Sequence, residues 1–97
     1  MYTDIWGDGV EREAVSTYGT TSQLIVAIEE LSELQKELTK QIRGSGDINR
    51  ISEEMADVYI MLEQLGIIFG NGSLMQNWKY KKLKRLEQRI RNGDART

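Results

Sequence analysis

INRISEEMADVYIMLEQLGIIF, residues 48–69, is the stretch on which the fold turns. Ile51, Met55, Val58, Leu62, Leu65 and Phe69 recur three or four residues apart, the spacing of one face of an α-helix. Ile60, Ile67 and Ile68 fall on other faces, so the second half of the segment is apolar nearly all round. A helix of that kind is buried on more than one side. One 97-residue chain has too few helices to cover it, which implies a partner subunit.

Immediately upstream, Gly44-Ser45-Gly46-Asp47 reads as a turn, with Asp47 capping the helix that follows. Before it, a helix is predicted from Thr21 or Ser22, either of which can cap it, to about Arg43. Its apolar stripe is Leu24, Ile28, Leu31, Leu38 and Ile42, with Ala27 and Leu34 beside it. A short helix over about Val10–Tyr18 precedes it and ends at Gly19, and residues 1–9 read as irregular. After the turn Gly70-Asn71-Gly72-Ser73, a last helix spans about Leu74–Arg91, with Tyr80, Leu83, Leu86 and Ile90 on its apolar side and a frayed tail from Asn92. The fold class is all-α, and residues 1–97 form a single domain.

Composition narrows the chemistry. The chain has no Cys and no His. That removes disulfides, thiolate metal sites, His-containing triads and the commonest general base. Any bound metal must be held by oxygen, which favours hard cations such as Mg²⁺ or Mn²⁺. A di-iron carboxylate bundle would need Glu-x-x-His and is disfavoured on the same ground. The first residues have neither the basic nor the apolar region of a signal peptide, and no apolar run reaches the ~20 residues of a membrane span. The expected location is the cytoplasm, with no membrane partner.

Two acidic clusters stand out. Glu29, Glu30 and Glu33, with Glu37 one turn on, lie on the first long helix, and Glu53, Glu54 and Asp57 lie on the second. Glu30 with Glu33, and Glu54 with Asp57, are i, i+3 pairs, so each pair shares a helix face. If the two helices pack antiparallel across the short turn, these four carboxylates converge at the rim of the core. Like charges at that spacing destabilise a helix. Neither Glu30 nor Asp57 has a Lys or Arg three or four residues away. A divalent cation would relieve the repulsion. The alternative is a solvated acidic face, in which Glu33 pairs with Lys36, Glu37 with Lys40, and Arg50 with Glu53 or Glu54.

Charge is also segregated along the chain. Residues 1–74 carry five basic and thirteen acidic residues, net −8, whereas residues 75–97 carry eight basic and two acidic, net +6. Lys82, Arg85 and Arg89 share one face of the last helix, suited to phosphate oxygens or to a solvated, dipole-complementing helix end. The acidic body argues against a nucleic-acid backbone as partner. Trp6, Trp78 and Tyr80 are candidate stacking surfaces for a base, and equally candidate core or interface aromatics. Met55 and Met61 read as core filler.

Taken in order, these motifs resemble the all-alpha NTP pyrophosphohydrolase superfamily, and within it the small MazG-like proteins. The run Tyr18-Gly19, Gln23, Ala27-Ile28-Glu29-Glu30-Leu31, Glu53-Glu54-Met55-Ala56-Asp57-Val58, Met61-Leu62-Glu63-Gln64-Leu65 and Lys82-Leu83-Lys84-Arg85-Leu86 carries the resemblance over roughly residues 18–91. It implies a MazG-like helical bundle completed by dimerisation around a four-helix core, as a homodimer or a dimer of dimers. It implies hydrolysis of a nucleoside or deoxynucleoside triphosphate to the monophosphate and pyrophosphate, with Mg²⁺ as cofactor, for which Mn²⁺ can substitute. By position, Glu30, Glu33, Glu54 and Asp57 would ligate the metal. Glu29, Glu37 or Glu53 would support the ligands or activate water, Lys82 and Arg85 would bind phosphate, and Gln23 would contact the sugar or base. No His-containing phosphoribosyl-ATP pyrophosphohydrolase motif is present in the last helix. The competing function is a non-enzymatic dimeric helical module that binds a partner or nucleic acid through its basic C-terminal helix.

Overall fold

The computed structural model describes residues 7–93, so Trp6 and the tail beyond Gly93 lie outside the described residues. Four helices follow one another: α1 (Gly7–Tyr18), α2 (Thr20–Ile42), α3 (Ile48–Phe69) and α4 (Gly72–Arg91). There is no strand among the described residues. Among the described residues no helix is long and apolar enough to cross a membrane. The all-α expectation stands, with most helix ends within a residue or two of those expected.

The differences have local causes. α1 already begins at Gly7, inside the segment expected to be irregular. Gly in a helix costs only about 1 kcal/mol relative to Ala, and packing of α1 on α3 outweighs it. α2 starts at Thr20 with Gly19 in the cap position and no side-chain cap bond, so neither Thr21 nor Ser22 serves. Gly19 has φ 90, which only glycine adopts without strain, and it ends α1 and opens α2 at once. Its N–H donates to the Val15 carbonyl at 2.9 Å, while its own carbonyl accepts from Gln23 N–H at 3.1 Å. Asp47 caps α3 as expected, its carboxylate accepting from the Asn49 N–H at 2.9 Å. The turn is tight at Gly46, where a Cβ would sit 2.7 Å from the Cα of Gln41.

α2 and α3 form the principal packing pair, an antiparallel hairpin, and α1 folds back on both. Among the described residues the buried apolar side chains are Ala27, Ile51, Val58 and Met61. The expected α3 stripe divides. Ile51 and Val58 are buried and Leu65 is half-buried, whereas Met55, Leu62 and Phe69 are exposed. On α2, Ile28, Leu31, Leu38 and Ile42 are likewise exposed, so most of the expected stripe is uncovered within one chain. α4 buries nothing fully and makes no more than marginal contact with the other helices. The radius of gyration is 16.2 Å, against about 13 Å for a compact chain of this length.

The centre of the hairpin is partly polar. Gln23 and Gln64 are buried, and the Gln23 side-chain amide donates to the Gln64 carbonyl oxygen at 2.5 Å. Removing one partner leaves the other buried and unsatisfied. Gln23→Leu is expected to cost about 1–3 kcal/mol in urea unfolding, and Gln23→Leu/Gln64→Leu together less than the sum of the two single changes. Additive losses would mean that the two amides do not depend on each other.

Candidate metal centre

α2 and α3 bring Glu30, Glu54 and Asp57 together. One carboxylate oxygen from each lies within 4.8 Å of the other two, and all three residues are half-buried. The cause is the register of the hairpin. Glu30 lies seven residues before Glu37, and Asp57 seven after Arg50, so the Glu37–Arg50 contact and the Glu30–Asp57 contact sit two turns apart along one side of the pair. Octahedral oxygens around Mg²⁺ at about 2.1 Å stand about 3.0 Å apart when adjacent and about 4.2 Å when opposite. Three oxygens within 4.8 Å need only small side-chain adjustments to share one ion. The donors are all carboxylate oxygens, which fits a hard cation and does not fit a soft one.

The electrostatics carry the same strain. The Glu30 carboxyl is pushed above its ordinary range by burial, then by the negative charges of Asp57 and Glu54, a hydrogen bond with Asp57 and the charge of Glu33. Glu54 is also raised, first by desolvation and then by Asp57, Glu53 and Glu33, while Arg50 pulls it the other way. Two neighbouring carboxyls on opposite helices therefore resist ionisation.

The other expected site residues are distributed differently. Glu33 is half-buried at the edge of the cluster, with its carboxylate 3.4 Å from the Lys36 ammonium. Glu29 and Glu53 are exposed beside it. Glu37 is only 2% exposed, and its carboxylate meets Lys40 at 3.2 Å and Arg50 at 3.8 Å. Arg50 thus turns across the hairpin to Glu37, where a nearly solvent-free carboxylate gains more from a cation than exposed Glu53 would. The Gln23 amide is engaged with Gln64 inside the hairpin. Lys82 and Arg85 are exposed on α4, which does not pack on the hairpin, so one chain does not bring them to the carboxylates. Trp78 and Tyr80 are exposed too, with the Lys81 and Lys84 ammonium groups 5.1 and 5.7 Å from the ring centres. Met61 fills the core and Met55 does not.

A feature that sequence does not single out is a cleft of about 560 Å³ between α1, α3 and α4, lined by Glu11, Tyr59, Glu63, Met75 and Lys79 among others. Tyr59 and Glu63 are an i, i+4 pair on α3, the one local signal that marks it. Comparisons with protein-family models, with curated proteins and with solved structures find no match.

The raised carboxyls set the sign of a pH effect. Between the ordinary carboxylate range and its raised value, folded Glu30 keeps a proton that the unfolded chain has released. Its stabilising contribution is complete below the ordinary range and is lost as pH rises through the raised value. In EDTA at pH 7, Glu30→Gln is therefore expected to melt above the unsubstituted protein, and the gap should close below about pH 4. Mg²⁺ at a hundredfold excess over its Kd should reverse the order, stabilising the unsubstituted protein by about 2.7 kcal/mol. That is roughly 10–20 °C in a domain of this size. A Glu30→Gln protein less stable than the parent in EDTA would show that the carboxylates are not in conflict.

Proposed function

We propose that this chain is a Mg²⁺-dependent nucleoside triphosphate pyrophosphohydrolase that releases a nucleoside monophosphate and pyrophosphate. The observation that carries the reading is the convergence of Glu30, Glu54 and Asp57 from two helices onto one half-buried point, at the cost of like-charge repulsion. The resemblance of the ordered acidic motifs to MazG-like proteins supplies the substrate class.

Glu30, Glu54 and Asp57 would hold the cation, and Glu33 would join them by giving up Lys36. A divalent cation there supplies Lewis acidity toward phosphate oxygens. With no His in the chain, a carboxylate must take the proton from the attacking water. Glu53 suits that role, because it is exposed and its charge is close enough to Glu54 to raise the Glu54 pKa. Glu29 is the alternative on the opposite helix. Glu37 is tied to Lys40 and Arg50 and serves to fix the hairpin register. In the reaction the water oxygen bonds to the α-phosphorus, the α–β bridging P–O bond breaks, and pyrophosphate leaves with the electron pair. Lys82 and Arg85 are assigned to the leaving phosphates. Because α4 stands apart from the hairpin, that assignment requires a homo-oligomer in which a second chain supplies the basic half of the site. Gln23 is left out of substrate binding by its bond to Gln64.

Exposure of the basic, aromatic-bearing α4 favours a second reading, an interaction module that works through that helix. One experiment separates the two. Pyrophosphate release is measured across the common NTPs and dNTPs with Mg²⁺ or Mn²⁺. The enzyme reading expects metal-dependent release from one or a few of them. Glu54→Gln should lower it on the order of 100-fold or more, the effect of losing several kcal/mol of charge stabilisation. No release from any nucleotide, with ligand binding that instead falls steeply with salt, would favour the module.

A further inference from the structure

We infer that α4 is a surface-binding helix that lies flat on an anionic lipid bilayer. The first observation is that the chain leaves it uncovered. None of its residues is buried, and Met75 and Trp78 are 48% exposed, Leu83 53% and Ile90 65%. A groove of about 600 Å³ runs along it, lined by Met75, Trp78, Lys79, Lys82, Leu83 and Leu86. All six belong to α4, so among the described residues no other helix lines that groove.

The second observation is how the side chains are sorted. Taking 100° per residue, Met75, Leu83, Leu86 and Ile90 fall within about 80° of one another around α4. Trp78 and Tyr80 stand about 100° to either side of the middle of that strip. Lys82 and Arg89 lie on the Trp78 side, with Arg85 and Lys81 beyond them, and Arg91 and Lys84 lie just past Tyr80. An apolar strip edged by an aromatic ring on each side, with cations around it, suits a helix in the plane of a bilayer interface. There the rings sit where hydrocarbon gives way to headgroups. Each ring also holds an ammonium close, that of Lys81 at Trp78 and that of Lys84 at Tyr80. Lys79 alone interrupts the strip, and its four-carbon stem lets the ammonium reach headgroup level.

The third observation is charge. α4 carries seven Lys and Arg residues and a single acid, Glu87, which is paired with Arg91 at 2.8 Å. Residues 1–74 are net −8, so an anionic surface attracts α4 and repels the rest of the chain, which selects one orientation. A nucleic-acid backbone would satisfy the cations and leave Met75, Leu83 and Ile90 in water, whereas an anionic bilayer takes up both. Surface binding needs no spanning segment, and the lack of one is all that the expectation of no membrane partner rested on. Glu30, Glu54 and Asp57 play no part in it, so it is independent of the metal assignment.

The test is flotation of the full chain with vesicles of phosphatidylcholine, alone or with about one third phosphatidylglycerol. The chain should float with the anionic vesicles at low salt, stay behind with the neutral ones, and come off as salt is raised. Leu83→Gln should weaken the partition about tenfold or more, whereas Leu74→Gln, similarly exposed but on the polar side of α4, should change it about twofold at most. Arg89→Gln, at the rim, should weaken it about fivefold. Leu83 and Arg89 are outside the phosphate assignment of Lys82 and Arg85, and both leucines are exposed, so neither leucine change should unfold the chain. In Trp6→Phe, which leaves Trp78 as the one tryptophan, the emission should shift to the blue on adding anionic vesicles. No flotation with anionic vesicles, no blue shift, or equal losses at Leu83 and Leu74 would overturn the proposal. So would tighter binding to an oligothymidylate than to the vesicles, with Leu83→Gln leaving it unchanged, which would mark α4 as a nucleic-acid helix.

Discussion

Packing α2 antiparallel on α3 brings three carboxylates into one half-buried space, and the candidate site depends on that one contact. Glu30 has a valine, an alanine, a leucine and another glutamate at its helical neighbours, and no cation. Asp57 is in the same position on the facing helix. Yet two turns away the same interface holds Glu37 with two cations, Lys40 and Arg50, at almost no exposure. A chain able to neutralise one buried carboxylate so thoroughly leaves its neighbours to conflict. The contrast separates a structural ion pair, complete within the chain, from carboxyls that have no cation of the chain's own beside them and whose conflict is relieved by a retained proton. Perturbed carboxyls gathered from different elements are the usual physical mark of a functional site.

The rest of the hairpin is economical in apolar burial. Among the described residues four apolar side chains are buried, beside Glu11 of α1 and Gln23, Glu37 and Gln64 of the hairpin. Polar pairs of this kind fix register more than they add stability, since a buried hydrogen bond contributes only about 1 kcal/mol net. Register is what the carboxylates need, because a one-residue slip would rotate Glu30 by about 100° away from Asp57. The remaining apolar surface lies on the outside, where one chain cannot use it.

Much of this is legible in the sequence, and the limits of that reading have a physical origin. Helical periodicity locates all four helices, Asp47 announces its cap, and the i, i+3 acidic pairs point to the side of the hairpin where three of the four carboxylates meet. Periodicity alone does not say which apolar face turns inward. On α3, Ile51, Val58 and Leu65 are one heptad position, and Met55, Leu62 and Phe69 the next. They differ by less than a third of a turn, too little for a stripe to resolve. Gln23 reads as a ligand contact in sequence because no local pattern marks Gln64, 41 residues away, as its partner. Arg50 reads with its own helix for the same reason: i, i+4 rules describe one helix and carry no information about the carboxylate facing it across a hairpin.

Like-charge repulsion among Glu30, Glu54 and Asp57 acts against the contact between α2 and α3. For the proposed Mg²⁺, which tolerates little departure from oxygen distances of about 2.0–2.1 Å, the spacing of Glu30, Glu54 and Asp57 would have to be held by something stiffer than their own flexible side chains. Within one chain that stiffness comes from the Gln23–Gln64 bond at one end and the Glu37–Arg50 contact at the other. The carboxylates lie between these two ties, where the hairpin is braced at both ends and free only to bow. The register that sets Glu30 against Asp57 is thus fixed from both ends by contacts complete within the chain, and the acidic cluster inherits its spacing from them.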